Sequence, residues 1–292
     1  AAVDDVNTFT DTPTAQLSSA HTLAELKAIN NKITGSITLN DYSVGLNGSS
    51  ADVAAALTGT FAAQYTGAVS LNDAHTLDQL KTINDQTNNT ITLTSYAVGL
   101  TGSTANVKAA LDGTFAAAYT GNVVLDDANG TNITATDITT IEGDTSGTIT
   151  VSNNINIKGT AAEVAAAVAD VNTFSNTPTA ELSSNHTLAE LKAINNAIGG
   201  AITLNSSAVD LSGSSADVAA ALNGLSNYTG ALTLSDSVSI ANMTTINNAK
   251  HSSVSVSYNI NDESGNVSGA SSAVLNGATN ITATDDGVGA NL

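Results

Sequence analysis

The stretch His21-Thr-Leu-Ala-Glu-Leu-Lys-Ala-Ile-Asn-Asn-Lys-Ile-Thr-Gly-Ser-Ile-Thr-Leu39 reads as a helix, a turn and a short strand. Thr22 stands where an N-cap is needed and Glu25 follows three residues on. In that capping box a hydroxyl and a carboxylate satisfy the free N–H groups of a helix start. Leu23, Leu26 and Ile29 then share one helical face. Asn30-Asn31 offers a left-handed helix end and Gly35 a turn. In Ser36-Ile-Thr-Leu39 the period of two points Ile37 and Leu39 one way and Thr38 the other. The motif returns at 75–93 (HTLDQLKTINDQTNNTITL) and 186–204 (HTLAELKAINNAIGGAITL), with a weaker echo at 238–256. Residues 1–57 match 166–222 at 44 of 57 positions. A module this short cannot bury its own apolar face. Copied in tandem, it can do so by stacking on its neighbours.

Short alternating segments end near residues 17, 39, 71, 93, 125, 151, 182, 204, 234, 256 and 283. The steps between them are 22 to 32 residues, with shorter and longer coils largely alternating. The longer coils run through a polar corner into a second extended piece: Tyr42–Leu46, Tyr96–Leu100, Asn154–Ile157 and Ser207–Leu211. A Gly-Ser or Gly-Thr turn and an Ala-rich helix follow, at Ser50–Leu57, Thr104–Leu111, Ala161–Val168 and Ser215–Leu222. The expected fold is an α/β solenoid over residues 1–292 without a domain boundary. About 10–11 short parallel strands would form one sheet in a β-helix-like rod. At a sheet spacing of about 4.8 Å, ten steps give roughly 48 Å.

Composition limits the function. Hydrophobic residues make up 41 % of the 292, but aromatics only 3 % and charged residues 11 %. The core is therefore aliphatic, and the surface is Thr, Ser, Asn and Gly. The net charge of −19 opposes binding to nucleic acid phosphates. Without cysteine there are no disulfides or thiolate metal sites. No apolar run reaches the length of a membrane span. Seven Lys plus Arg leave little to line a polysaccharide-processing cleft, and no nucleophile–base–orienter set is evident. The expectation is a protein that is not an enzyme.

His21, His75 and His186 occupy equivalent positions before helix caps, as a metal or acid–base site would require. His21 and His75 are two coil steps apart, roughly 10 Å on the sheet spacing, too far for one metal. They read as turn residues repeated with the motif. Acidic turns at Asp126, Asp127, Asp262, Glu263, Asp285 and Asp286 are weak calcium candidates, since calcium takes oxygen ligands from such loops. None follows a known calcium-loop pattern, and calcium is the one cofactor considered. The outward strand position is largely hydroxyl-bearing, with Thr38, Thr92, Thr150, Thr203 and Thr233 as a candidate exposed Thr face. A regular Thr array could bind ice or another ligand. Thr is also simply what an exposed sheet prefers.

The phrases TLAELKAINN (22–31), SSADVAAAL (49–57), YTGNVVLDDANGTNITATDITTI (119–141) and TITVSNN (148–154) resemble long repetitive surface and secreted proteins of marine cyanobacteria and related bacteria. The resemblance runs along nearly the whole chain. It implies an extracellular or cell-surface location, a structural or adhesive role, and contact with a cell surface or polysaccharide. Relatives of this kind often carry calcium-binding nonapeptide modules, which this sequence lacks.

The two ends look like parts of one coil. Ile281–Leu292 aligns with Ile37–Gly48, and Ala1–Phe9 with Ala166–Phe174. The expected function is a filament or matrix-fibre subunit that polymerises head to tail by completing that coil. Its interface would comprise Ala1, Ala2, Val3, Val6 and Phe9 at one end, and Ile281, Ala283, Val288, Ala290 and Leu292 at the other. The alternatives are an adhesin module using the Thr face, or a segment of a giant surface protein.

Overall fold

The computed structural model describes residues 11–284 of the 292. In chain order the elements are β1 (Ala15–Gln16), α1 (Leu23–Asn30), β2 (Ile37–Thr38), β3 (Leu46–Gly48), α2 (Ser50–Leu57), β4 (Val69–Leu71), α3 (Leu77–Gln86), β5 (Ile91–Thr92), β6 (Leu100–Gly102), α4 (Thr104–Leu111), β7 (Val123–Leu125), β8 (Asn132–Thr134), α5 (Ala135–Asp144) and β9 (Ile149–Val151). There follow β10 (Asn156–Gly159), α6 (Ala161–Asp170), β11 (Thr173–Phe174), β12 (Thr179–Leu182), α7 (Leu188–Ala197), β13 (Ile202–Thr203), β14 (Leu211–Gly213), α8 (Ser215–Leu222), β15 (Leu232–Leu234), α9 (Ile240–Ala249), β16 (Tyr258–Glu263), α10 (Ser264–Gly269), α11 (Ser272–Leu275) and β17 (Ala278–Thr284). The chain packs as two compact units. Residues up to 128 together with 137–152 form the first, and 129–136 together with 153 onward form the second.

The helices form where their caps stand. The expected capping boxes at Thr22 with Glu25, Thr76 with Gln79 and Thr187 with Glu190 are all made, and a fourth joins Thr160 and Glu163. Leu26, Leu80 and Leu191 at the centre of the motif are fully buried. One expectation at the helix ends fails. Asn31 closes α1 in the right-handed region, at φ −67°. Among the described residues the only non-glycine with positive φ is Asn227. A backbone N–H bonded to the turn before it ends α1, so no left-handed residue is required.

Gly35 and Gly200 are needed for space rather than for conformation. A Cβ on either would collide with the carbonyl oxygen of Pro13 or Pro178 on the neighbouring repeat. Each glycine instead donates its N–H to that carbonyl, at 3.1 Å in both places.

The strands are parallel and fall into six small sheets, not the single sheet expected from the alternation. The first unit has β1-β2, β3-β4-β5 and β6-β7-β9 in adjacent order; the second has β8-β10-β12-β13, β14-β15 and β16-β17. The reason is a mismatch of periods. Helices start at Leu23, Ser50, Leu77 and Thr104, 27 residues apart. Paired strands are closer in sequence: Leu46 lies opposite Val69 and Val69 opposite Ile91, steps of 23 and 22. The pairing slides along the chain with every repeat. Sheets of two to four strands therefore end after one to three pairings, and a new sheet begins.

The same pairing corrects the expected alternation of short and long coils. The second extended pieces end in strands of their own, β3, β6, β10 and β14, and these pair with the strand of the next repeat. A long coil is therefore an ordinary step counted from the wrong strand. The segment expected to end at Val256 forms no strand, and the pairing strand is β16, six residues from Tyr258.

Inward positions make the core of each unit. Ile37, Val69, Leu80, Ile83 and Ile91 in the first unit are fully buried, as are Val218, Leu222 and Tyr228 in the second. Each such side chain contributes about 1.5–3 kcal/mol relative to leaving it in water. The Ala-rich helices pack by their small residues, with Ala56 and Ala221 at 0 % exposure.

Candidate functional site: an open sheet edge and the ties between repeats

Repeats within a unit are joined by polar ties as well as by the aliphatic core. The first amide of a helix needs an acceptor that the helix cannot supply. Here the next repeat supplies it. The Ser50 amide donates to Asp73 Oδ1 (2.7 Å), Ser215 to Asp236 Oδ1 (2.7 Å), Ile240 to Asp262 Oδ2 (2.8 Å) and Ala161 to Ser184 Oγ (3.0 Å). Both the amide and the hydroxyl of Thr104 donate to Asp127 Oδ2, at 2.9 and 2.6 Å. At the opposite helix ends, Asn84 Nδ2 donates to the Ala109 carbonyl and Asn195 Nδ2 to those of Ala221 and Asn223, at 2.8–2.9 Å. Asn30 makes the same bond to Ala56.

These ties account for two of the acidic residues considered for calcium. Asp127 is buried and bonded to α4. Asp262 gives one oxygen to the first amide of α9 and the other to the Glu263 amide and Asn266 Nδ2. Those bonds hold its carboxyl below the usual carboxylate range, the Asn266 contact first. Asp126 is exposed on the strand side, and Glu263 is the N-cap position of α10 without a side-chain cap. Asp285 and Asp286 lie outside the described residues. Among the described residues no three His, Asp or Glu side chains converge where a metal ion could be held.

The Thr positions do not form one array. Thr38, Thr92, Thr150, Thr203 and Thr233 each belong to a different sheet. Within a sheet the outward row is mixed. It runs Asn47, Ser70, Thr92 in one and Thr101, Val124, Thr150 in another. In the second unit Thr134, Lys158, Glu181 and Thr203 follow one another, with Lys158 and Glu181 paired at 2.8 Å. The period mismatch that breaks the sheets also breaks the row.

The three equivalent histidines, expected as turn residues repeated with the motif, are buried. His21, His75 and His186 are 3–4 % exposed. Each bonds through Nε2 to a buried tyrosine hydroxyl two repeats on: Tyr65 (3.0 Å), Tyr119 (3.0 Å) and Tyr228 (2.9 Å). Each tyrosine donates in turn to a backbone carbonyl, Val44, Val98 or Val209. Burial pushes the imidazoles below their ordinary value and the phenols above theirs. The sequence carries a signal for this pairing. His and the Tyr of Tyr-Thr-Gly are separated by 44, 44 and 42 residues.

The last sheet ends, among the described residues, at an edge with no further strand. β16 pairs with β17 in parallel over Tyr258–Glu263 and Ala278–Thr284, with Ile260 opposite Ile281 and Asp262 opposite Ala283. β16 is also bridged on its other side, Val238 to Ile260. β17 has no further strand partner among the described residues. The consequence is visible at matched positions. Ile260 is 1 % exposed, whereas Ile281 is 41 % exposed and is the one large hydrophobic side chain so exposed among the described residues. Ala283 beside it is exposed too. Of the expected interface, Ala1, Ala2, Val3, Val6, Phe9, Val288, Ala290 and Leu292 lie outside the described residues.

Comparison with protein-family models, with curated proteins and with solved structures finds no match.

Proposed function

We propose that this chain is a structural, non-catalytic subunit of an extracellular filament or surface fibre, an α/β solenoid that grows when a second copy adds its first strand to the edge of β17. The carrying observation is Ile281, a core-register residue left 41 % exposed on a seven-residue strand whose outer edge has no strand partner among the described residues. Edge strands of this kind are templates for further pairing, and proteins that stay monomeric blunt them with charge, proline or a covering element. β17, Ala-Thr-Asn-Ile-Thr-Ala-Thr, contains neither charge nor proline. The occupant is a strand like those already stacked in each unit, because parallel pairing and an aliphatic inward row are the joint this chain uses throughout. Such a contact is heterologous and propagates.

The test is assembly of the Ile281→Lys variant. Sedimentation and electron microscopy of the unaltered chain should show filaments. The variant should keep its circular dichroism and remain a single subunit, since a lysine at the edge repels the next copy's apolar row. Filaments of unchanged length from the variant, or an unaltered chain that stays monomeric at every concentration, would overturn the proposal.

A further inference from the structure

We infer that the three buried His–Tyr–carbonyl relays act as acid-sensitive latches, which release the packing of the repeats they join when the imidazoles take up a proton. A tyrosine hydroxyl has one hydrogen to give. In each relay it is given to a valine carbonyl, at 2.6 Å from Tyr119 to Val98 and 2.7 Å from Tyr228 to Val209, with Tyr65 bonded likewise to Val44. The same oxygen must then accept from histidine, so Nε2 carries the imidazole proton. Nδ1 is left bare. In all three histidines that nitrogen is buried and has no hydrogen-bond partner. Protonation would place a new N–H there with no acceptor and a positive charge inside the core. The chain avoids both by unfolding around the site.

The charged groups facing these rings do not change the outcome. Asp41 and Glu25 face His21, Asp73 faces His75 and Glu190 faces His186, each favouring the charged ring. All four are already engaged: Asp41 with Ser43, Glu25 with Thr22, Asp73 with the Ser50 amide and Glu190 with Thr187. Burial outweighs them, and each folded-state value lies below the ordinary one. The unfolded chain therefore binds more protons than the folded chain just below about pH 6.5. Stability is complete above that pH and falls as the pH drops through it toward the folded-state values. The first unit holds His21 and His75, so its unfolding constant should rise by up to about 100-fold per pH unit in this window. The second holds His186 and should respond by up to about 10-fold. Among the carboxylates, burial raises that of Asp144 in the first unit, which works against this loss as the pH falls.

The experiment is urea unfolding of the full chain at pH 7.5, 6.5 and 5.5, compared with H21Q/H75Q/H186Q. Glutamine can still donate to the tyrosine oxygen but does not titrate. The unaltered chain should lose midpoint between pH 6.5 and 5.5, and the triple variant should not. An unaltered chain with no loss, or a variant with the same loss, would overturn the inference. Nitrogen-15 spectra of the unaltered chain give a reading even if the variant fails to fold. They should show three predominantly neutral rings protonated at Nε2 at pH 6.5, the ordinary imidazole value, in the folded state. Charged rings in the folded chain at that pH would refute the latch.

Discussion

Asp126 and Asp127 are adjacent and chemically identical, yet they do different things. Asp126 is exposed, whereas Asp127 is 8 % exposed and accepts both hydrogens that Thr104 has to give. Thr104 is itself 2 % exposed, so its amide has no water to turn to. Asp127→Ala should therefore cost about 2 kcal/mol, the order expected when a buried donor loses its partner. Chemical denaturation against the unaltered chain measures it, and a change under about 0.5 kcal/mol, the size of an ordinary surface substitution, would show that the tie is dispensable. Because the Asp127 oxygen serves a helix, millimolar calcium should leave the melting temperature where chelator leaves it. A rise of several degrees with calcium would reinstate the acidic turns as a binding site. Neither role was legible from the pair of letters. Acceptors for a helix start come from the next repeat, more than twenty residues away, and a local reading sees only a polar turn.

At the scale of elements the helices were the legible part. Ser50–Leu57, Thr104–Leu111 and Ser215–Leu222 begin and end where caps and alanines place them, because capping is chemistry among residues three apart. Strands were less so. Alternation runs from 253 through 261, and a period of two does not say which part of such a run will pair. The bridge from Val238 to Ile260 selects the later part. The small residues of the helices are a matter of packing space. Ala221 is fully buried in α8, and a leucine there should overfill the interface at a cost of about 1–3 kcal/mol. Ala216 on the exposed side of the same helix should accept leucine with little change. Thermal unfolding of the two variants distinguishes them, and equal melting temperatures would mean that the helix is not closely packed.

At the scale of the whole molecule, charge opposes the proposed assembly. A net charge of −19 makes copies repel, and salt screens that repulsion beyond about 10 Å at 0.1 M. If copies add end to end as proposed, raising sodium chloride from 10 to 150 mM should shorten the lag before light scattering rises. A lag that lengthens with salt would point to an electrostatic contact rather than to strand pairing with an apolar row. If the proposed assembly forms, the acid latch would act on it from within. It loosens the packed repeats, so material assembled at neutral pH should come apart in mild acid without any change at the edge itself.

The sequence by itself determined that the chain is a repeat of short helices and parallel strands, where most helices start, and which aliphatic residues face inward. All of that follows from contacts among near neighbours and from periodicity, which a single line of letters records. The tertiary structure decided how repeats are joined. It divides the strands among six sheets: from Leu23 to Thr104 helices recur every 27 residues, while strands there pair 22 or 23 apart. It also scatters the outward threonines, turns aspartates into caps for another repeat's helix, and seals three histidines against tyrosines some forty residues away. Each of these depends on the offset between one repeat and the next, and that offset is set by packing in three dimensions.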